Sequence, residues 1–168
     1  MTLHIRSETP ADVDAIEALT VAAFRDAPHT AHTEQFIVNA LRRAGQLTIS
    51  LVAQEGHDIV GHVAVSPVTI SDGSARWYGL GPLSVAPEKQ GRGIGSQLVR
   101  ASLGALRALG AAGCVVLGEP AYYGRFGFQA ASEVTLPGAP AEYFQIVRFD
   151  GAMPSGAVAY HDAFGASA

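Results

Sequence analysis

The chain has 168 residues, of which 48% are hydrophobic and 15% charged, and a formal net charge of −4. That balance suits one folded domain over 1–168 with a substantial core, and it excludes a disordered chain. The acid excess argues against a nucleic-acid partner, and apolar runs broken by Gly and Pro argue against a membrane one. A single cysteine, Cys114, excludes an intramolecular disulfide framework, and an N-terminus without a signal-like apolar core makes the cytoplasm the expected location.

Leu3 to Glu8 alternates and predicts a first strand. Thr9 and Pro10 suit the cap and first position of a helix whose inner face carries Val13, Ile16, Thr20, Ala23 and Phe24. A second helix is expected from about Thr33, with Phe36, Ile37, Ala40, Leu41 and Ala44 inward and Gly45 as its stop. Leu47 to Ala53 alternates as a strand, Gly56-His57-Asp58 turns, and Ile59 to Ile70 returns as the other arm of an antiparallel hairpin.

After the turn Ser71-Asp72-Gly73-Ser74, Trp77 to Val85 reads as a further strand. Proline cannot donate to a ladder, so this strand must be bulged or unpaired near Pro82. Ile94, Leu98, Ala101, Ala105 and Leu109 mark a third helix, ended by Gly110. Cys114 to Leu117 is wholly apolar, as a central strand covered on both faces would be. A short helix over Tyr122 to Phe126 and a late strand over Glu142 to Phe149 complete the predicted elements. The stretch beyond Asp150, rich in Gly, Ala and Pro, receives no function. Hairpins first, then strand–helix–strand, is the order of a mixed α/β domain.

Between the strand ending at Val85 and the helix starting at Ile94 lies Gln90-Gly91-Arg92-Gly93-Ile94-Gly95. Three alternating glycines let the main chain curl and turn several N–H groups onto one anion. The loop opens a helix, where unpaired donors and the dipole favour negative charge, and Arg92 can add a cation. Phosphate binding is the inference, against the plainer reading of a tight turn that lets a helix pack close to a sheet. The dinucleotide fingerprint is not met, because Ser96 occupies the third glycine position, and no Gly-Lys-Ser or Gly-Lys-Thr of a P-loop is present.

The stretch from Leu83 to Leu98 resembles the acetyl-CoA-binding motif of the GNAT superfamily, Val-x-Pro-x-x-Gln/Arg-x-x-Gly-x-Gly/Ala, and matches every position of it from Val85 to Gly95. Tyr122-Tyr123-Gly124-Arg125-Phe126-Gly127-Phe128 resembles that family's Phe-Tyr-x-x-x-Gly-Phe segment, with Tyr122 in the Phe position. The order of elements from Leu3 to Phe128 agrees, and the wording around both motifs is most similar to the YhbS-like branch of small bacterial members. The resemblance implies a GNAT-type fold: a central mixed sheet of about six or seven strands with helices on both faces, splayed between the strands ending at Val85 and Leu117.

It further implies acetyl-CoA as co-substrate, no metal, and direct transfer of the acetyl group to a primary amine of a small molecule or protein. Pantetheine would run along Leu83, Ser84 and Val85, with the Leu83 N–H polarising the thioester carbonyl. The pyrophosphate would lie on the donors of Gln90, Gly91, Arg92, Gly93, Ile94, Gly95 and Ser96. Tyr123 matches the family's proton donor to the leaving thiolate, while Tyr122 and Phe126 are expected to pack. Glu119, just past the central strand, is the first candidate for the general base and Glu34 the second, against the plainer reading of each as a surface carboxylate; in the family the base varies and is often only a water. A CoA-binding sensor without turnover is the alternative on the same fold, and a homodimer is common among relatives.

Other residues receive plainer readings. His29 and His32 are three apart but have no third ligand at metal spacing, so a solvated helix start is expected there. Cys114 reads as an inert core thiol, Trp77 and Tyr78 as core, and His57 and His62 carry no role.

Overall fold

Alternation of apolar residues in the first half of the chain builds a set of antiparallel strands that share one sheet. The computed structural model describes residues 2–28 and 30–168, so the His29–His32 pair lies partly outside the described residues. Strand β1 (Leu3–Ser7) pairs antiparallel with β2 (Ile49–Glu55), β2 with β3 (Asp58–Ile70), and β3 with β4 (Trp77–Val85). Strand β5 (Gly113–Leu117) joins β4 in parallel and is flanked in turn by antiparallel β7 (Phe144–Arg148). Two strands not foreseen from the sequence complete an eight-stranded sheet: β6 (Val134–Thr135) and β8 (Gly156–Tyr160). β8 pairs with the far end of β3 through Val68, Thr69 and Ile70.

Period-two alternation sorts β3 between two layers. Val63 and Val65 pack toward helix α3 (Ile94–Ala108), with Ala53, Leu98, Leu103 and Leu106. Ala64, between them, packs with Val52 against Ile16 of α1 (Val13–Phe24) and Val38 of α2 (Glu34–Arg43). Helices therefore cover both faces, as a strand buried on both sides requires. Gly61 marks the closest approach: a Cβ there would come within 2.9 Å of both Ile94 and Leu98. Glycine at this position lets α3 lie flush on β3.

The first turn of chain after β1 is held by a local network. The Thr9 N–H and hydroxyl both donate to the Asp12 carboxylate, at 2.7 and 3.1 Å, and Arg6 pairs with the same carboxylate at 2.8 Å. The Arg6 hydrogen bonds hold that carboxyl far below the usual carboxylate range. Thr9 and Pro10 open a 3₁₀ turn, Pro10–Asp12, that leads into α1.

Two irregularities in β4 open a cleft in the sheet. Its register with β3 jumps between Val63↔Leu83 and Val65↔Leu80, so Ala64 faces both Gly81 and Pro82, which is the bulge expected from the proline. Its parallel pairing with β5 stops after Trp77↔Gly113, Tyr78↔Cys114 and Gly79↔Val115. Beyond Gly79 the two strands part, and each keeps only its other neighbour.

Candidate active site

The parting of β4 from β5 decides which main-chain groups are available. The Ala86 N–H donates to the Val60 carbonyl at 2.9 Å. Donor direction alternates along an antiparallel strand, so Ser84 also turns its backbone to β3, while Leu83 and Val85 turn theirs into the gap. The Gln90 side-chain amide, 3.2 Å from the Val85 carbonyl, reports that direction. Ser84 does not face the gap: it is paired opposite His62 and is buried, and its hydroxyl reaches no partner among the described residues.

The glycine loop lies at the end of the gap. Gly91 (φ +78°) and Gly93 (φ +81°) occupy the left-handed region, which bends the loop and points consecutive N–H groups the same way. Among the described residues, none of the N–H groups of residues 91–96 donates to another protein group; the next donor, Gln97, closes the first α3 turn on the Gly93 carbonyl at 3.1 Å. Six such donors at the leading end of a fifteen-residue helix are the kind of group that suits an anion.

A cavity of about 440 Å³ opens over this loop, lined by Leu83, Val85, Lys89, Gln90, Gly91, Gly93, Ile94, Gly95, Ser96, Tyr122 and Arg125. Arg92 does not line it; its side chain is exposed beside the loop. Two cations do. Lys89 is tied to Glu55 at 2.7 Å, and Arg125 donates to the Ser96 hydroxyl at 3.0 Å while stacking 4.7 Å over the Tyr122 ring. Sequence reasoning missed Lys89 and Arg125, and it assigned Tyr122 to packing alone. The signal for Arg125 was its place three residues after Tyr122 in a turn that brings i and i+3 together. Gly95 is close beneath that tyrosine, for a Cβ there would stand 2.7 Å from the Tyr122 hydroxyl.

A second cavity, of about 420 Å³, lies at the same parting of strands, lined by Phe24, Glu34, Ile37, Leu80, Gly81, Pro82, Leu83, Leu117, Tyr123, Leu136, Tyr160 and Phe164. Leu83 lines both cavities. So does the aromatic pair in a divided sense: Tyr122 faces the first and Tyr123 the second, their rings 5.0 Å apart and edge to face. Both belong to the short helix α4 (Pro120–Tyr123), whose first turn closes on the Glu119 carbonyl. Burial pushes the Tyr123 phenol well above its ordinary value, so it stays protonated at neutral pH.

The carboxylates divide differently from expectation. Glu119 is exposed and its side chain lines neither cavity, because Pro120 takes the first helical position and Glu119 serves α4 with its carbonyl. Glu34 lines the second cavity. Cys114 is fully buried, and burial pushes its thiol far up, consistent with an inert core residue. Among the described residues no three His, Cys, Asp or Glu side chains gather as a metal site, and no helix is long and apolar enough to cross a membrane.

Comparison with known proteins agrees with this architecture. The family model described as an acetyltransferase (GNAT) domain matches residues 4–131. An Escherichia coli K12 protein described as the uncharacterized N-acetyltransferase YhbS is 38% identical over 95% of this chain and 97% of its own. Among solved structures, a GNAT family acetyltransferase from Brucella melitensis in complex with acetyl-CoA is 48% identical, covering 97% of this chain and 98% of that one, with a TM-score of 0.87. The Escherichia coli YhbS structure in complex with CoA gives a TM-score of 0.85 at 35% identity, covering 97% and 92%. With the splayed strands, the glycine loop opening α3 and a family match over most of its length, the chain belongs to the GNAT acetyltransferases.

Proposed function

We propose that this chain transfers an acetyl group from acetyl-CoA directly to a primary amine. The observation that carries the reading is the run of six unpaired N–H groups at residues 91–96, opening on a cavity that also presents Lys89 and Arg125. Linked phosphates satisfy such a run, and pantetheine, an amide chain, can bond to the backbone of Leu83 and Val85 that faces the gap, as a further strand would. Gln90, Gly91, Gly93, Ile94, Gly95 and Ser96 line that path. Arg92 contributes its main-chain N–H rather than its side chain.

Acetyl-CoA supplies the acetyl group as a thioester. The Leu83 N–H, at the junction of the two cavities, polarises the thioester carbonyl, and the cavity walls hold the amine in line with it. The C–N bond forms as the C–S bond breaks. An ammonium loses two protons on becoming an amide and the departing sulfur gains one, so one proton leaves to solvent. A buried phenol is a weaker acid than a thiol of ordinary pKa near 8.5. Tyr123 therefore acts as a hydrogen-bond donor that stabilises the departing sulfur, rather than as the net source of its proton.

Acetyl-CoA consumption with release of the free CoA thiol, followed across a panel of amines, tests the proposal. Turnover dependent on an amine is expected. Tight acetyl-CoA binding without turnover on any amine, unchanged by Tyr123→Phe, would assign the chain to sensing instead.

A further inference from the structure

The cavity beyond Leu83 has a composition that selects its occupant. Among the described residues lining it, Glu34 is the only charged side chain, and the remainder are chiefly aliphatic and aromatic. The Glu34 Oε2 atom accepts a hydrogen bond from the Thr30 hydroxyl at 2.6 Å, which fixes the carboxylate. Its Oε1 atom is buried and has no hydrogen-bond partner among the described residues. A buried carboxylate oxygen left unpaired is costly, and the group that satisfies it best is a cationic N–H donor. Leu117, an apolar side chain left 47% exposed at the end of β5, also lines this cavity, as do Tyr160 and Phe164, whose rings lie 4.8 Å apart and tilted by 34°. Apolar walls of this kind bind apolar ligand surface.

We infer that the acceptor is a small monoamine with an aryl or branched alkyl body, its ammonium held by Glu34 and its apolar part by the Tyr160–Phe164 wall. This rests on the acetyltransferase reading above and adds the acceptor's chemical class. No cation among the described lining residues can pair with a carboxylate, so α-amino acids are disfavoured. No second anion is present for a polyamine, whose further ammonium groups would lie unpaired against apolar walls. The volume of about 420 Å³ suits a free small molecule.

Acetyl transfer by the whole chain is measured with 2-phenylethylamine, phenylalanine, spermidine and a lysine-containing peptide, alongside acetyl-CoA binding. The expected kcat/KM for 2-phenylethylamine exceeds that for each of the others by about a hundredfold. Glu34→Gln raises the KM for 2-phenylethylamine by about tenfold or more, while leaving acetyl-CoA affinity unchanged and the thermal midpoint no lower. Glu34→Asp, which keeps the charge, recovers part of the loss. Equal or better turnover of phenylalanine, spermidine or the peptide, or an unaltered KM in Glu34→Gln, overturns the acceptor class while leaving the acetyltransferase reading intact. Failure to bind acetyl-CoA removes both.

Discussion

At the scale of single residues, the site depends on groups that face one another across the parting of β4 and β5. Tyr123 is expected to matter for the chemical step and little for binding. Tyr123→Phe should lower kcat by about 10² with the KM for acetyl-CoA nearly unchanged, which steady-state kinetics with varied acetyl-CoA would measure. An unaltered kcat would reduce Tyr123 to a packing role against Phe128, whose ring lies 5.9 Å away. Arg125 acts at the other end. Arg125→Ala should weaken acetyl-CoA by about tenfold, and the loss should shrink as salt is raised, because its charge is exposed to solvent screening. Titration calorimetry at two ionic strengths checks both statements. Two expected residues line neither cavity: Ser84, whose backbone strand alternation turns to β3, and Glu119, whose side chain is exposed.

At the scale of elements, the anion site depends on how closely α3 lies on β3. Gly61→Ala would push a methyl group into Ile94 and Leu98, displacing the first turn of α3 together with the loop that precedes it. The expected cost is roughly 1–3 kcal/mol of stability by denaturant unfolding, with weakened acetyl-CoA binding. Full stability with full affinity would contradict the packing described. The elements legible in the sequence are those whose signal is local. The glycine loop stands out by composition, and the three long helices and strands β1 to β5 and β7 by contiguous patterning, with ends displaced by up to three residues, the most at the start of α1. The short strands β6 and β8 were not legible, whereas β7 falls inside the strand expected over Glu142 to Phe149. Gly156–Tyr160 carries too short an alternation, and its partner Val68–Ile70 lies about ninety residues earlier. That pairing brings Tyr160, with Phe164 after it, to the second cavity, so this part of its lining was hidden in a stretch that composition alone made featureless.

At the scale of the whole molecule, stability should depend on pH through a buried network at β2 and β3. His62 is fully buried, its Nε2 2.8 Å from the Ser50 hydroxyl, which in turn donates to Glu8. Desolvation lowers the His62 imidazole from 6.5 to about 4, so the folded chain binds fewer protons than the unfolded one between those values. Its neutral form is retained above pH 6.5 without penalty, and stability is lost as pH falls through 6.5 toward 4, by an amount approaching roughly 3 kcal/mol. Burial alone would raise the Glu8 carboxyl, but hydrogen bonds from Arg42 and Ser50 outweigh it and hold the group low, so Glu8 adds to the loss in acid. Urea unfolding at pH 7 and pH 4.5 should show the decline, and His62→Gln should flatten it; equal slopes in both proteins would contradict this assignment.

In the function proposed above, main-chain donors at the start of α3 hold the two phosphates of CoA beside a strand freed from its neighbour. The most direct measurement is a crystal structure of the chain with CoA. The pyrophosphate oxygens should lie within about 3 Å of N–H groups between Gly91 and Ser96, with the pantetheine chain bonded to Leu83 and Val85. A CoA whose phosphates lie away from these donors, or whose pantetheine avoids the gap between β4 and β5, would contradict the account.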